Sequence, residues 1–306
     1  MKRVIALTGW IALAGLIAPG ALSAQEPVFN LDVRLVRMMV TVKNPAGDLI
    51  GGLDKSDFRV TDSGVPQEIA VFERLTAQPL SVTLLIDTSA STAKDIKYEI
   101  ASLQKFLKAL IDEGNPADAA SLYAFNWQVT LLNTFTRRMA RIEESLTQLK
   151  PEGGTSLYDA VYLSTGELRE REGRHVLITV GDGGDTTSSK KFRDAVEAAQ
   201  RADAAVYNVI VVPITNPAGR NTGGEHALET MSASTGGRAF YPNVGESLDR
   251  TFADILRELR TQYLIAYYPR GVSTADGRFH PVRVELPQRK DLRISTRAGY
   301  YGDKPR

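Results

Sequence analysis

The sequence contains no cysteine and only three histidines, and both shortages restrict its chemistry. Without cysteine the chain has no disulfide bond, no thiol nucleophile and no lipid-bearing cysteine, so its stability must come from a packed core. The histidines, His175, His226 and His280, are scattered and lack the spacing of zinc ligands. The chain also lacks a G-x-S-x-G elbow and a phosphate-binding loop with its lysine. These absences disfavour several large classes of enzyme.

Neither sign of charge is in clear excess. The chain has 37 basic and 36 acidic residues. Residues 1–24 hold two of the basic residues and none of the acidic ones, which leaves 35 basic against 36 acidic residues beyond position 24. A nucleic-acid-binding domain normally carries a basic surplus or a basic patch. We therefore expect no nucleic-acid partner.

One apolar run stands apart from the rest of the chain. Val4–Ala18 is almost wholly apolar, follows a basic start, and precedes a Pro-Gly break and the small residues of "ALSAQ". The run is short for a membrane span, which needs about 20 residues. Residues 1–24 are therefore predicted to be a secretory signal peptide, cleaved after Ala24 or after Ser23, with an uncleaved anchor as the alternative. The mature protein is expected to be periplasmic or secreted, with no membrane contact beyond the signal peptide.

The remaining chain divides into three regions by the period of its apolar residues. Residues 25–79 and 263–306 alternate apolar and polar positions between Gly and Pro turns, which is typical of β-strands with one buried face. Residues 80–262 alternate apolar strands with amphipathic helices, which predicts an α/β fold with a doubly wound, mostly parallel sheet. Each β flank has too few strands for a sandwich of its own. We therefore expect the flanks to pair into one small all-β sandwich, with the α/β domain inserted between them.

Two segments of the α/β region carry further expectations. The helix predicted to begin near Thr92 has Ile96, Ile100 and Leu103 on one apolar face. The polar, glycine-rich stretch from Thr215 to His226 is expected to be a mobile loop.

Three predicted strand or loop ends in the α/β region carry acidic or hydroxyl side chains. The strand in "SVTLLIDTSAS" ends at Asp87 and is followed by Ser89 and Ser91, "GGTSLYDA" places Thr155 at the head of a helix, and "LITVGDGG" ends in Asp182. Ligands of open parallel sheets bind beyond the carboxyl ends of the strands, where these loops would converge. Helix capping is the alternative explanation for one of the hydroxyls. Helix capping does not explain Asp87, the carboxylate that precedes these hydroxyls.

Convergence of the three loops would bring two carboxylates together, with no Lys or Arg in the motifs to neutralise them. Two like charges about 4 Å apart repel by roughly 4 kcal/mol at an effective dielectric constant near 20, so a bound cation is the natural resolution. Hard oxygen ligands suit Mg²⁺ or Mn²⁺, and an octahedral ion keeps water at its unfilled positions. Such a site has room for a ligand from outside the protein.

The order and spacing of these residues resemble the metal-ion-dependent adhesion site of von Willebrand factor type A domains. Asp87, Ser89 and Ser91 match the D-x-S-x-S motif, and the second and third loops supply Thr155 and Asp182. The resemblance implies that the three hydroxyls coordinate one Mg²⁺, Mn²⁺ or Ca²⁺ ion and that the two aspartates bind it directly or through water. It also implies that a carboxylate of a partner protein completes the coordination shell. Outside the α/β region, the flanks resemble those of bacterial exported VWFA-related domain proteins.

Two positions near the third loop qualify the resemblance. Gly181 precedes the loop aspartate, where a hydroxyl residue is common in the family, and this leaves the outer hydrogen bonds of the site undefined. Asp185 follows in "DGGDTTSS", where it either supports the site from outside the first ligand shell or serves as an ordinary turn residue.

Enzymatic interpretations fit less well. "LLIDTSAS" also resembles the signature of aspartic proteases, but Ala90 replaces the glycine, and "GGDTTSS" is a poor second copy of a motif that must supply two carboxylates. A serine hydrolase needs a histidine base. His175 is expected to start a strand, His226 to lie in the mobile loop and His280 to lie in a β segment. We therefore predict a protein-binding module with neither enzymatic activity nor a small-molecule substrate. The alternative is a structural or assembly protein in which the metal only stabilises the fold and the β sandwich makes the contacts.

Overall fold

The computed structural model describes residues 35–74, 78–211 and 222–303, so the signal peptide predicted over residues 1–24 lies outside the described part. The strands are β1 (Val36–Lys43), β2 (Arg59–Asp62), β3 (Val65–Gln67), β4 (Val71–Glu73), β5 (Leu80–Asp87), β6 (Ala119–Phe125), β7 (Val129–Thr136), β8 (Arg174–Gly181), β9 (Ala204–Ile210), β10 (Ala239–Phe240), β11 (Tyr263–Tyr267), β12 (Phe279–Glu285), β13 (Arg293–Ser295) and β14 (Gly299–Tyr301). The α-helices are α1 (Ile96–Glu113), α2 (Met139–Leu146), α3 (Leu157–Arg169), α4 (Phe192–Arg201), α5 (Thr222–Thr235) and α6 (Glu246–Thr261). Of these helices, none combines the length and the apolar character that a membrane span requires.

Strands β5 to β10 form one six-stranded sheet in the order β10-β9-β8-β5-β6-β7. All neighbouring pairs are parallel except the antiparallel pair β6 and β7. Helices α1, α2 and α6 cover one face of the sheet, and α3, α4 and α5 cover the other. Because both faces are covered, every residue of β5 and β8 is buried, which explains their continuous apolar character. The predicted doubly wound α/β fold is confirmed.

The two β flanks pair with each other. One sheet has the order β13-β1-β11-β4 and the other has the order β14-β12-β2-β3, so each sheet contains strands from both ends of the chain. The apolar side chains of the two sheets share one core, which includes Val40, Phe58, Tyr263 and Val282. The prediction that the flanks form one small β sandwich, with the α/β fold inserted between them, is confirmed.

A buried carboxylate in the sandwich gives a prediction for stability. Asp62 is fully buried and accepts hydrogen bonds from the hydroxyls of Tyr267 at 3.0 Å and Tyr300 at 2.8 Å. Replacing either tyrosine by phenylalanine leaves the carboxylate one donor short, which should lower the free energy of unfolding by about 1–3 kcal/mol. Tyr268→Phe is the matched control, because Tyr268 is 48% exposed, and its cost should stay within about 0.5 kcal/mol. Urea denaturation measures all three variants, and equal midpoints would contradict the prediction.

Helix α1 begins four residues later than predicted. It starts at Ile96 instead of near Thr92. The Thr92 hydroxyl donates to the carbonyl oxygens of Asp87 at 3.1 Å and Ser89 at 3.0 Å, and so closes a tight turn ahead of the helix. Local side-chain bonds of this kind compete with helical hydrogen bonds, which is why the chain turns here before the helix starts.

The loop predicted between β9 and the next helix is shorter than expected. Residues 222–226 form the first turn of α5, and the earlier part of the stretch predicted as a mobile loop lies outside the described residues. Gly223 and Gly224 disfavour a helix. Leu228 and Met231 of α5 nevertheless pack into the core on one face of the sheet, and this burial outweighs the low helix propensity of the two glycines.

Candidate metal centre

The predicted site lies at the carboxyl edge of the six-stranded sheet. Asp87 is the last residue of β5, and Asp182 directly follows β8, the parallel neighbour of β5. From β5 the chain crosses by α1 to β6 on one side, and from β8 it crosses by α4 to β9 on the other side. The sheet order therefore reverses between β5 and β8. In open α/β sheets the crevice at such a switch point is where ligands bind.

The Asp87 carboxyl group is buried without a counter-charge. Only 1% of Asp87 is exposed, and one of its carboxyl oxygens accepts the Ser89 amide at 2.7 Å. Burial raises the pKa of Asp87 to about 7; hydrogen bonds from Ser89 oppose the rise, and the negative charge of Asp182 adds to it. Within the described residues, no Lys, Arg or His forms an ion pair with Asp87 or Asp182. As far as the described residues go, the crevice is therefore acidic and has no cationic side chain paired with these carboxylates.

The hydroxyls that follow Asp87 are not helix caps. The Ser89 and Ser91 hydroxyl oxygens lie 2.9 Å apart and hydrogen-bond to each other. Thr92 turns inward to the carbonyls of the loop, and Asp95, which precedes α1, makes no side-chain capping bond. The capping interpretation is therefore wrong for α1. The hydroxyls of Ser89 and Ser91 therefore lie together next to the carboxyl group of Asp87.

The loop that carries Thr155 lies between the other two loops. The Glu152 amide donates to the Thr88 carbonyl at 2.8 Å, which ties this loop to the one after β5. On the other side, the Thr155 amide donates to the Thr186 hydroxyl at 3.0 Å, and the Thr155 carbonyl accepts the amides of Thr186 and Thr187. The three predicted loops are thus neighbours. The part that the Thr155 hydroxyl takes in binding a metal stays a prediction.

The structure explains the glycine that departs from the family motif. A Cβ atom at Gly181 would lie 2.4 Å from the Cβ of Asp87 and 2.6 Å from one of its carboxyl oxygens. No side chain fits there while Asp87 keeps its position. Asp185 is the other position whose role the sequence left undecided. Its carboxyl group accepts hydrogen bonds from the Tyr158 amide at 3.1 Å and the Ser188 hydroxyl at 2.6 Å. It therefore holds the start of α3 as a structural residue.

The contact at Gly181 leads to a prediction. Gly181→Ser should push the Asp87 carboxyl group out of place, lower the free energy of unfolding by about 1–3 kcal/mol, and weaken Mn²⁺ binding. Gly153→Ser is the control, because nothing lies within 4 Å of a Cβ atom at Gly153 in the neighbouring loop. Thermal melts and Mn²⁺ titrations of both variants make the comparison. Wild-type behaviour of Gly181→Ser would show that the crevice accommodates a side chain.

One acidic residue near the site was not predicted from the sequence. Glu99, in the first turn of α1, is 1% exposed, and its charge interacts with Asp87 and Asp182. The sequence offered one signal for it. Glu99 is a charged residue next to the apolar helix face of Ile96 and Leu103, where a side chain is not expected to be exposed to solvent. Among the described residues, no three Asp, Glu or His side chains lie close enough together to hold a metal ion. A cation at this place would therefore depend on the hydroxyls as well as the carboxylates.

Two of the three histidines, His175 and His280, lie away from the crevice. His175 is at the amino end of β8, at the opposite edge of the sheet from Asp182, and its two ring nitrogens contact the carbonyls of Ala202 at 2.5 Å and Arg171 at 2.9 Å. His280 belongs to β12 of the sandwich. Neither is placed to act as a base for the hydroxyls beside Asp87.

The fold and the site together define a class of protein. It is a doubly wound α/β domain with an acidic, hydroxyl-lined crevice at its switch point. Residues 82–185 match the family model described as von Willebrand factor type A domain, and this range includes all five predicted metal ligands. The match to the von Willebrand factor type A domain over these residues agrees with the family that the motifs indicated. No curated protein matches the chain.

Solved structures resemble the chain in part. The vWF domain of the type V pili tip protein Mfa5 from Porphyromonas gingivalis is 12% identical, with a TM-score of 0.48 over 65% of this chain and 99% of that one. The PilB minor pilin from Streptococcus sanguinis is 14% identical, with a TM-score of 0.47 over 61% of this chain and 62% of that one. BatB, a conserved hypothetical protein from Bacteroides thetaiotaomicron, is 18% identical, with a TM-score of 0.44 over 59% of this chain and 98% of that one.

Proposed function

We propose that this protein is an exported binding module that captures an acidic group of a partner protein through one divalent cation. The ion is Mg²⁺ or, in its place, Mn²⁺ or Ca²⁺. The residues that would hold it are Asp87, Ser89, Ser91, Thr155 and Asp182. A carboxylate of the partner would fill the coordination position that faces solvent.

The observation that carries this proposal is the uncompensated acidic crevice between β5 and β8. Asp87 is buried beside the negative charge of Asp182, and burial together with that charge raises the pKa of Asp87. A buried carboxylate of this kind is costly unless a cation balances it. The oxygens of Ser89 and Ser91, 2.9 Å apart, are hard ligands suited to the same ions. The residues present therefore fit a divalent cation, which would supply the positive charge that attracts an outside carboxylate.

The surroundings of the crevice favour a protein partner. Ser91 is exposed and Asp182 is partly exposed, so the site is open to a large ligand. Trp127 is 56% exposed, and its backbone amide donates to the Gly153 carbonyl in the loop that carries Thr155. Tryptophan is enriched among the residues that contribute most to binding at protein interfaces. The von Willebrand factor type A family consists mostly of non-enzymatic interaction modules, which supports the same assignment.

Export is part of the proposal because of the residues at the start of the chain. The basic start, the apolar run Val4–Ala18 and the small residues before Gln25 have the pattern of a cleaved signal peptide.

A two-part experiment tests the proposal. The mature chain and Asp182→Ala are titrated with Mn²⁺, and each is then used to capture envelope proteins of the source organism in Mg²⁺ or in EDTA. We expect one Mn²⁺ per wild-type chain, an affinity at least about 10- to 100-fold lower in the variant, and capture only by the wild type in Mg²⁺. Asp112→Ala is the control, because Asp112 is exposed near the end of α1, far along the helix from the site.

The rival structural role predicts a different result. If metal binding only stabilises the fold, the same partners are captured in EDTA and by Asp182→Ala, through contacts elsewhere on the molecule. That outcome would contradict capture through the cation even if Mn²⁺ binds.

A further inference from the structure

The carboxyl group of Glu99 is buried without a hydrogen-bond donor. Glu99 is 1% exposed, and neither of its carboxyl oxygens accepts a hydrogen bond from any residue that the structure describes. The groups whose charges act on it are the carboxylates of Asp87, Asp95 and Asp182. Burial, and then these three charges, raise the pKa of Glu99 to about 8. Among the described residues, the charged groups that act on Glu99 are thus acceptors that repel it.

Packing alone does not account for a glutamate at this place. Its helical neighbours Ile96 and Leu103 are buried in contact with the core, and an apolar side chain at position 99 would continue that face without leaving polar atoms unpaired. Buried polar groups in folded proteins almost always have a partner, and a buried polar group without one needs an explanation such as a bound water or ion. None of the residues that the structure describes supplies the positive charge or the donors that Glu99 lacks.

A hydrated cation in the crevice would supply both. The ion would balance the charge that Glu99 shares with Asp87 and Asp182, and its bound water would provide O–H donors. Glu99 is not a direct ligand together with the two aspartates, because no three acidic side chains of the described residues lie close enough to hold one ion. Octahedral Mg²⁺ retains several waters in protein sites, and residues that bond to such ligands from outside tune the affinity of the metal.

We propose that Glu99 is a further acidic residue of the metal site, which acts on the cation through bound water and raises its affinity. This inference rests on the proposed function, since it assigns Glu99 to the same cation. Glu99, which lies on α1, would be the third carboxylate of the site, in addition to those of Asp87 and Asp182.

The test compares Mn²⁺ binding with the stability of the metal-free protein. The mature chain, Glu99→Gln, Glu99→Ala and Asp182→Ala are titrated with Mn²⁺ alone, and free Mn²⁺ is followed by its electron paramagnetic resonance signal. We expect Glu99→Gln and Glu99→Ala to bind Mn²⁺ about 10- to 100-fold more weakly than the wild type. Without metal, Glu99→Gln should melt at or above the wild-type temperature, because the amide keeps the shape and removes the repelled charge.

Glu258→Gln is the matched control. Glu258 is 2% exposed but accepts hydrogen bonds from Lys43 and Tyr207, so it is equally buried and satisfied by the protein. Its Mn²⁺ affinity should equal that of the wild type. Wild-type affinity in both Glu99 variants, with weak binding by Asp182→Ala, would overturn the role of Glu99 and leave the metal site standing. An equal loss in Glu258→Gln would also overturn it, and a wild type that does not bind Mn²⁺ would overturn both proposals.

Discussion

Asp87→Asn is expected to raise the free energy of unfolding of the metal-free protein by about 2–4 kcal/mol at pH 8. The reason is the buried charge. Burial lifts the pKa of Asp87 from 3.8 to about 7, and Asp182 adds to the rise, so the ionised group at pH 8 destabilises the fold. Asparagine keeps the size of the side chain and removes the charge. Most substitutions at a buried polar residue destabilise a protein, so a gain here would be diagnostic.

The gain should depend on pH in a defined direction. Since the folded-state pKa of Asp87 lies above the unfolded value, the folded state binds the proton more tightly, and stability is lost as the pH rises from about 4 to about 7. Below this window Asp87 is neutral in both states, and the variant should match the wild type. Above it the penalty is complete and the difference is largest. Urea denaturation in metal-free buffers from pH 4 to pH 8 measures this profile.

Adding Mg²⁺ should reverse the order of stability. A ligand that binds only the folded state contributes about 2.7 kcal/mol when its concentration is a hundred times its Kd. The wild type should gain this amount, and Asp87→Asn should gain much less because it lacks a carboxylate at the site. Asp112→Asn, an exposed position on α1, should respond like the wild type. Equal responses in all three proteins would mean that Asp87 and its neighbours are ordinary loop residues.

The fold was largely predictable because its signals are local and strong. The continuous apolar runs of β5 and β8 indicate strands covered on both faces, and the order of strands and helices leaves few alternatives to a doubly wound sheet. The pairing of the flanks followed from a count of strands, since neither flank could form a sandwich alone. The candidate site could be proposed from the sequence because Asp87, Ser89 and Ser91 are close together in it, and because Thr155 and Asp182 stand at corresponding loop ends; their binding of a metal stays a prediction.

The features that were not predicted depend on contacts between distant parts of the chain. Glu99 looks like one more charged residue of an amphipathic helix until its burial beside Asp182, 83 positions away, is known. Gly181 looks like a missing hydroxyl until the position of Asp87 across the β5–β8 pair is known. The start of α1 was misplaced because the bonds of the Thr92 hydroxyl to backbone carbonyls do not show in a helical pattern.

Deleting residues 25–75 should unfold the C-terminal flank and leave the α/β domain intact. The deletion removes β1 to β4, so β11 loses both of its neighbours, and β12 and β13 each lose the N-terminal strand with which they pair. Tyr263, Ile265 and Tyr267 of β11 are fully buried in the native protein and would become exposed. We expect aggregation, or a C-terminal segment that proteases digest rapidly.

The fragment 80–262 provides the other half of this experiment. Its sheet and both helix layers are complete. It loses the ion pair of Glu258 with Lys43 at 2.5 Å, and Asp203, which is partly exposed, loses its pairs with Arg37 and Arg297. Glu258 keeps Arg238 at 3.6 Å and the Tyr207 hydroxyl at 3.2 Å, so its carboxylate is not left alone. The fragment should therefore stay soluble and bind Mn²⁺ with the affinity of the whole chain. Independent folding of residues 263–303, seen as dispersed amide signals by nuclear magnetic resonance, would contradict the shared sandwich, because a segment that needs β1 as its partner has no stable fold without it.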